Sequence, residues 1–253
     1  MLTTQRKQLL LTRLQQDGQI VAKAFSEELG ISEDTVRRDL RELAAEGRLQ
    51  RVHGGALPAS AAVGNLQARE QLAPEDKRAL GRAGAALVLP GQVVILDGGT
   101  TSLQVVQHLP LDLRATVVTH SPTVAVALAG HAQVEVLMLG GRLFRHSMVN
   151  VGASVVEAAA QFRADLYLMG VTGVHAETGL TTGDFEEAAV KRALHQRAAE
   201  TVVLASIDKL GTASPFSVAP LRELAALVVP AATPQALRKK LQAGGARVEI
   251  AAA

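Results

Sequence analysis

From Pro74 onward the chain repeats one pattern: a short run of Val, Leu and Ile, a polar tip, then an Ala-rich stretch of helical periodicity. The runs fall at 93–97, 115–119, 134–139, 165–170, 201–205, 225–229 and 247–250. Helices are predicted between them at 75–88, 102–109, 122–130, 152–162, 185–199 and 234–243, with Pro74, Pro122 and Pro234 at or beside helix starts, where a missing N–H costs nothing. Strands that are apolar throughout, not alternately, are buried on both faces. The expected fold class is therefore α/β, a mostly parallel sheet covered by helices on both sides.

The first 58 residues have a different texture, being charged, helical in period and almost without Val-rich runs. Between the two regions lies a stretch of small and polar residues. The expected organisation is a small domain over 1–58, a linker over 59–73 and a larger domain over 74–253. Apolar residues make up 48% of the 253, enough for real cores, but aromatics are only 2%, so those cores must be built from Ala, Val and Leu. Cysteine is absent, which excludes disulfides and thiolate metal sites and fits a reducing compartment. No run spans a bilayer and no signal peptide is read, so the expectation is a soluble cytoplasmic protein with no membrane partner. Seven scattered histidines show no metal-ligand spacing, and neither a metal nor a cofactor is expected.

A formal charge of only +2 does not announce a nucleic-acid binder, so any basic surface has to be local. One is legible. Leu10, Leu11 and Leu14 share a face of a first helix, Lys23 to Leu29 form a short second one ended by Gly30, and Ser32 is placed to cap a third. In that third helix Val36, Leu40 and Leu43 recur at i, i+4 and i+7 and define the buried stripe. At about 100° per residue, Arg38 and Arg41 then point outward with Arg37 beside them, while Asp39, Glu42 and Glu46 turn to another flank. Asp39 lies near the stripe and reads as structural. After Gly47, residues 48–55 alternate like a hairpin strand, with Arg48 and Arg51 able to reach phosphates and His53 either packing the wing or touching a phosphate. The bland reading of the arginines is a solvated face; the Ser32 cap, the Gly30 turn and the wing favour a helix that lies in a major groove. Ser32, Thr35, Arg37, Arg38, Arg41, Arg48, Arg51 and His53 are the candidate DNA-contacting residues.

In the larger region the strand at 93–96 ends in Asp97-Gly98-Gly99-Thr100-Thr101-Ser102 and a helix follows. Paired glycines, three hydroxyls and a helix N-terminus suit a phosphate, although a Gly-Gly pair is also an ordinary tight turn. Other strand ends converge on the same edge of a parallel sheet: Thr119-His120-Ser121, Gly140-Gly141-Arg142, the loop from Gly170 through Gly173 to Thr182, and Asp208-Lys209. Glu187 and Lys191 are four apart, either a surface pair or ligand contacts. Lys209 either contacts a ligand, snorkels or pairs with Asp208, and Asp97 either contacts a ligand or fixes its own loop.

Two stretches, Thr35-Val36-Arg37-Arg38-Asp39-Leu40 behind Ser32 and Arg51-Val52-His53-Gly54-Gly55-Ala56, resemble the signature and wing of the DeoR family of bacterial transcriptional regulators. The resemblance continues through Asp97–Thr101, residues 165–173, Glu186–Lys191 and Asp208-Lys209, which look like that family's sensor domain, a fold similar to ribose-5-phosphate isomerase. It departs at Phe25-Ser26, where Leu-Ala is more usual, at His120, where the family commonly has Asn, and at Leu210, where it commonly has an aromatic. What the resemblance implies is a sugar-phosphate effector, with Gly98, Gly99, Thr100, Thr101 and Ser102 at the phosphate and Asp97, Thr119, Glu187, Lys191 and Lys209 near the sugar. His120, Gly140 and Gly173 join the candidates from the strand-end rim.

The leading functional expectation is a repressor of carbohydrate genes that binds double-stranded operator DNA and is released by a small phosphorylated sugar. Twofold half-sites require a homo-oligomer, dimer or tetramer. The alternative is a sugar-phosphate isomerase with a DNA-binding appendage, for which Asp97, Asp184 or Glu187 would have to act as base. No pair of such groups is forced together by spacing, so no catalytic residue is assigned.

Overall fold

The computed structural model describes residues 2–60 and 66–252. The N-terminal part runs α1 (Thr3–Asp17), β1 (Ile20–Val21), α2 (Ala22–Leu29), α3 (Glu33–Ala45), β2 (Leu49–Val52) and β3 (Gly55–Pro58). Leu10, Leu11 and Leu14 of α1 form one core with Phe25 of α2 and Val36, Leu40 and Leu43 of α3. Strands β2 and β3 pair antiparallel, Leu49 opposite Pro58 and Val52 opposite Gly55, and β1 joins the other side of β3 through Ile20 and Ala56. The wing is thus a three-stranded sheet, not a lone hairpin. Its tip explains the paired glycines: Gly54 sits at φ +80°, and a Cβ on Gly55 would stand 1.7 Å from the Ile20 carbonyl oxygen.

The rest of the chain runs α4 (Leu66–Glu70), α5 (Pro74–Ala86), β4 (Val93–Leu96), α6 (Thr100–His108), β5 (Ala115–Thr119), α7 (Pro122–Ala127), β6 (Val134–Met138), β7 (Arg142–Phe144), β8 (Val149–Val151), α8 (Ala153–Ala159), β9 (Ala164–Met169), β10 (Gly173–His175), β11 (Gly179–Thr182), α9 (Phe185–His195), β12 (Ala198–Leu204), β13 (Phe216–Ala219), β14 (Ala226–Val229), α10 (Gln235–Ala243) and β15 (Val248–Ile250). The seven expected strands form one sheet in the order β15-β14-β12-β9-β4-β5-β6, every pair parallel. Two apolar clusters cover its faces, one around Ile95, Tyr167 and Val203, the other around Leu96, Val105 and Leu168. This is why the runs are apolar without alternation.

Strands β4 and β9 are neighbours although helices α6, α7 and α8, the sheet strands β5 and β6 and the β7–β8 hairpin separate them along the chain. Chain order reverses there, so their carboxyl ends open a crevice where α/β sheets bind ligands. Residues 98–102 and 170–172 line it from either side.

Several expectations need correction. The helix expected over 185–199 ends at His195, and β12 already begins at Ala198, opposite Ala164. Residues 196–200 have good helix propensity, but pairing with β9 overrides it. The loop expected through 179–182 is strand β11, part of an antiparallel sheet ordered β10-β11-β13. The hairpin β7–β8 was also not foreseen. Within the expected linker, residues 61–65 lie outside the described residues, and Leu66–Glu70 is a helix. Among the described residues no helix is long and apolar enough to cross a membrane.

Candidate DNA interface and effector cavity

Helix α3 is started by Ser32, whose hydroxyl accepts from Thr35 N at 3.3 Å and lies 2.9 Å from Thr35 Oγ1. Asp39 is fully buried and takes both Arg6 Nε and Arg6 Nη2, a bidentate pair that ties α1 to α3. Arg6 escaped the sequence reading; it sits one turn before Leu10 on the same face, which is the signal that would have found it. The acidic flank is also engaged, Lys7 Nζ lying 2.9 Å from Glu42 and 3.4 Å from Glu46. Arg37 is held by Glu33 at 2.7 Å. Arg38 and Arg41 are exposed and have no partner among the described residues, and Arg48, Arg51 and His53 are exposed on the wing side. Charge cancellation therefore leaves the outward face of α3 basic, as a phosphate-lined groove requires.

At the crevice, Asp97 closes β4 and is fully buried. Its Oδ2 accepts from Lys191 Nζ at 2.7 Å, Tyr167 Oη at 2.9 Å and Gly170 N at 3.0 Å, and its Oδ1 receives Gly98 N and His120 Nε2, each at 2.8 Å. Burial pushes this carboxyl up, but Lys191 and the His120 hydrogen bond outweigh it and hold the group well below the usual carboxylate range. Every lone pair of Asp97 is in use. Its position beneath the loop, spanning β4, β5, β9 and α9, matches the loop-fixing alternative.

Above Asp97 is a small cavity of about 30 Å³, room for about two waters. Gly98, Gly99, Thr100, Thr101, Ser102, Glu187, Lys191 and Lys209 all line it. Gly99 at φ +109° turns the chain so that the first N–H groups of α6 face the space, and Thr101 Oγ1 is buried with no hydrogen-bond partner among the described residues. Glu187 and Lys191 are not a surface pair: both are buried, 3.4 Å apart, with Thr182 Oγ1 donating to Glu187 at 2.8 Å. The Lys209 ammonium has no ion-pair partner among the described residues, and burial lowers it to about 8.

Thr119, His120, Gly140 and Gly173 do not reach the cavity. Thr119 Oγ1 accepts from Ser121 N at 3.1 Å, and His120 bridges Asp97 to the Asn150 carbonyl at 2.8 Å. Gly140 is exposed, and Gly173 lies in β10 where a Cβ would meet Thr181 Oγ1 at 2.7 Å. Conversely, the cavity gains Arg69, Lys77 and Ser147, which sequence reasoning had not placed there, and Asp208 of the expected strand-end rim lines it beside Lys209. Lys77 was findable: it stands at i with Leu80, Gly81 and Gly84 on the buried face of α5, an odd place for a lysine. Its ammonium donates to the Arg69 and Leu72 carbonyls, and Arg69 Nη2 donates to the His146 carbonyl at 3.0 Å. Burial lowers both cations. Four cations thus surround the cavity against Glu187 and Asp208, with Asp97 below. That arrangement can bind an anion; among the described residues no cluster able to hold a metal is found.

A winged helix-turn-helix with a basic recognition face, joined to an α/β unit with an anion-sized cavity at its switch point, defines a class: ligand-responsive DNA-binding regulators. The model of the DeoR C terminal sensor domain matches residues 72–230, and that of the DeoR-like helix-turn-helix domain matches residues 6–61. The chain belongs to the DeoR family of transcriptional regulators. It is 32% identical to the HTH-type transcriptional regulator GlpR of Haloferax volcanii, over 98% of each chain. It is 31% identical to the HTH-type transcriptional repressor GlcR of Bacillus subtilis, over 95% of this chain and 93% of that one. To the glycerol-3-phosphate regulon repressor of Escherichia coli it is 28% identical, over 82% and 83%. Solved structures of related shape include ribose 5-phosphate isomerase A of Methanocaldococcus jannaschii, with TM-score 0.40 at 17% identity over 54% of each chain. Another is the sorbitol operon regulator SorC of Klebsiella pneumoniae, with TM-score 0.41 at 14% identity over 94% and 98%.

Proposed function

We propose that this regulator is a cytoplasmic repressor of carbohydrate genes whose hold on double-stranded operator DNA is relieved by a phosphorylated sugar, and that it works as a homo-oligomer on paired half-sites. Arg38 and Arg41 contact the groove directly, Arg37 and Thr35 flank them, Ser32 caps the helix toward the backbone, and Arg48, Arg51 and His53 follow the phosphates from the wing. The observation that carries the effector reading is the 30 Å³ cavity, lined by the α6 N-terminus, by Thr101, whose hydroxyl has no partner among the described residues, and by Lys209, whose ammonium has no ion-pair partner among them. A phosphoryl group supplies acceptors to each of these donors. A relative named for the glycerol-3-phosphate regulon supports a phosphorylated ligand. Of the three acids an isomerase would have drawn on, Asp97 is fully buried, does not line the cavity and has no free lone pair to take a proton from carbon.

The test is a thermal-shift screen of triose to hexose phosphates, followed by operator gel shifts with the strongest stabiliser. The expected ligand raises the melting temperature, is not turned over, and releases operator. Thr101→Ala should bind operator normally and ignore the ligand; normal release from Thr101→Ala would sink the assignment of the site.

A further inference from the structure

A sugar phosphate is larger than the space that would hold its phosphate. Beside the 30 Å³ cavity lies a second one of about 400 Å³, within the range of small-molecule sites. The two share walls at Ser147, Thr172 and Glu187. The far wall of the larger cavity belongs to the winged helix: Ala44 at the end of α3, Gly47, and Leu49 and Gln50 of β2. His146 and Ser214 add polar edges from the sensor side, and Ser214 Oγ lies 2.7 Å from Thr172 Oγ1.

The two units are also stitched along this seam. Ala213 N donates to the Pro58 carbonyl at 3.2 Å, Ala59 bridges in parallel to Ala213, and Ser60 Oγ donates to the Thr172 carbonyl. The chain leaving the wing therefore reaches Thr172, one of the three residues that the two cavities have in common.

We propose that the sugar portion of the effector occupies the cavity between the two units, so that one ligand is gripped by the sensor through its phosphate and by the α3–β2 turn of the winged helix through its sugar. This rests on the reading of the small cavity as a phosphate site. It supplies what any effector needs, a contact whose strength differs between arrangements of the DNA-reading unit. A ligand held within the sensor alone would shift nothing unless the sensor itself changed shape. The sugar's length also becomes the selectivity filter: the phosphate site accepts any phosphoryl group, and the space up to Gln50 decides which sugar fits.

The experiment uses the full chain and isothermal titration with inorganic phosphate and with triose to hexose phosphates. Ala44→Phe and Gly183→Leu fill the larger cavity from opposite walls; Gly183 has open space at its Cβ and no positive φ. Both variants should bind inorganic phosphate within about twofold of wild type, which also shows that they fold, and should bind the preferred sugar phosphate at least about tenfold more weakly. In wild type, hydrogen exchange should show amide protection at residues 47–50 with the sugar phosphate and not with inorganic phosphate. Undiminished sugar-phosphate affinity in both variants, or protection confined to residues 98–102, overturns the proposal while leaving the phosphate site intact. A wild-type chain that binds neither phosphate nor any sugar phosphate brings down the site and this inference together.

Discussion

Lys191 Nζ lies 2.7 Å from Asp97 Oδ2, and both groups are buried. The pair joins α9 to the end of β4 and fixes the floor on which residues 98–102 rest. Removing one member of a buried, hydrogen-bonded pair strands the other, which costs about 3–5 kcal/mol. Asp97→Ala should lose that much in urea unfolding, and the double change Asp97→Asn with Lys191→Met should recover a large part of it. Because the folded carboxyl is held low, its stabilisation is complete above the unfolded value of about 3.9 and is lost only as pH falls below it.

Gly55 to Ala should damage the wing without touching a charged group. The added Cβ would stand 1.7 Å from a backbone oxygen, so β1 and β3 must separate. The expected loss is about 3 kcal/mol or more, read as an earlier thermal transition. If Gly55→Ala unfolds like wild type, the close β1–β3 approach is wrong.

Among the α3 arginines, the pairing pattern ranks the effects. Arg38→Ala and Arg41→Ala should each weaken operator binding by about 1–3 kcal/mol where they read a base edge, or lower the salt dependence by about one unit of slope where they hold a phosphate. Arg37→Ala should do less, since Glu33 at 2.7 Å already occupies that guanidinium. Filter binding from low to moderate salt separates the cases, and an Arg37 effect exceeding both others would overturn the ranking.

Lys209, lowered to about 8 by burial, should make effector binding sensitive to pH. Phosphate monoesters are dianions by pH 7, so their own titration drops out. Above pH 8 the ammonium loses its proton, and affinity should fall by up to about tenfold per pH unit. Titration near pH 8 in buffers of different ionisation heat should show proton uptake on binding. Lys209→Ala should bind more weakly and lose this pH dependence; a retained dependence would assign it to another group. The sign for stability is opposite. The unfolded chain binds the extra proton between about 8 and 10.5, so this group's contribution to stability improves as pH rises through that window.

Much of this protein was readable along the chain because the relevant forces are local. Seven apolar runs became seven parallel strands, and the spacing of Val36, Leu40 and Leu43 placed Arg38 and Arg41 outward, since helix and strand periodicity decide which side chains share a face. The same periodicity marked Lys77 as buried, had it been used for charges as well as for apolar residues.

What only the tertiary structure decided is which strand ends meet. Polar residues follow most strands here, but the strand ends that line the cavity are those at the β4–β9 reversal and the Asp208-Lys209 turn after β12; Thr119 and His120 are drawn beneath the loop, and Gly140 stays at the surface. Non-local pairing also turned 198–200 from helix to strand and 179–182 from loop to strand. Arg69 enters the cavity because the chain before α5 folds back over α6. Periodicity records what a residue faces, not what the rest of the chain brings opposite it. The two cavities and the seam between them are set by long-range packing, which no single segment encodes.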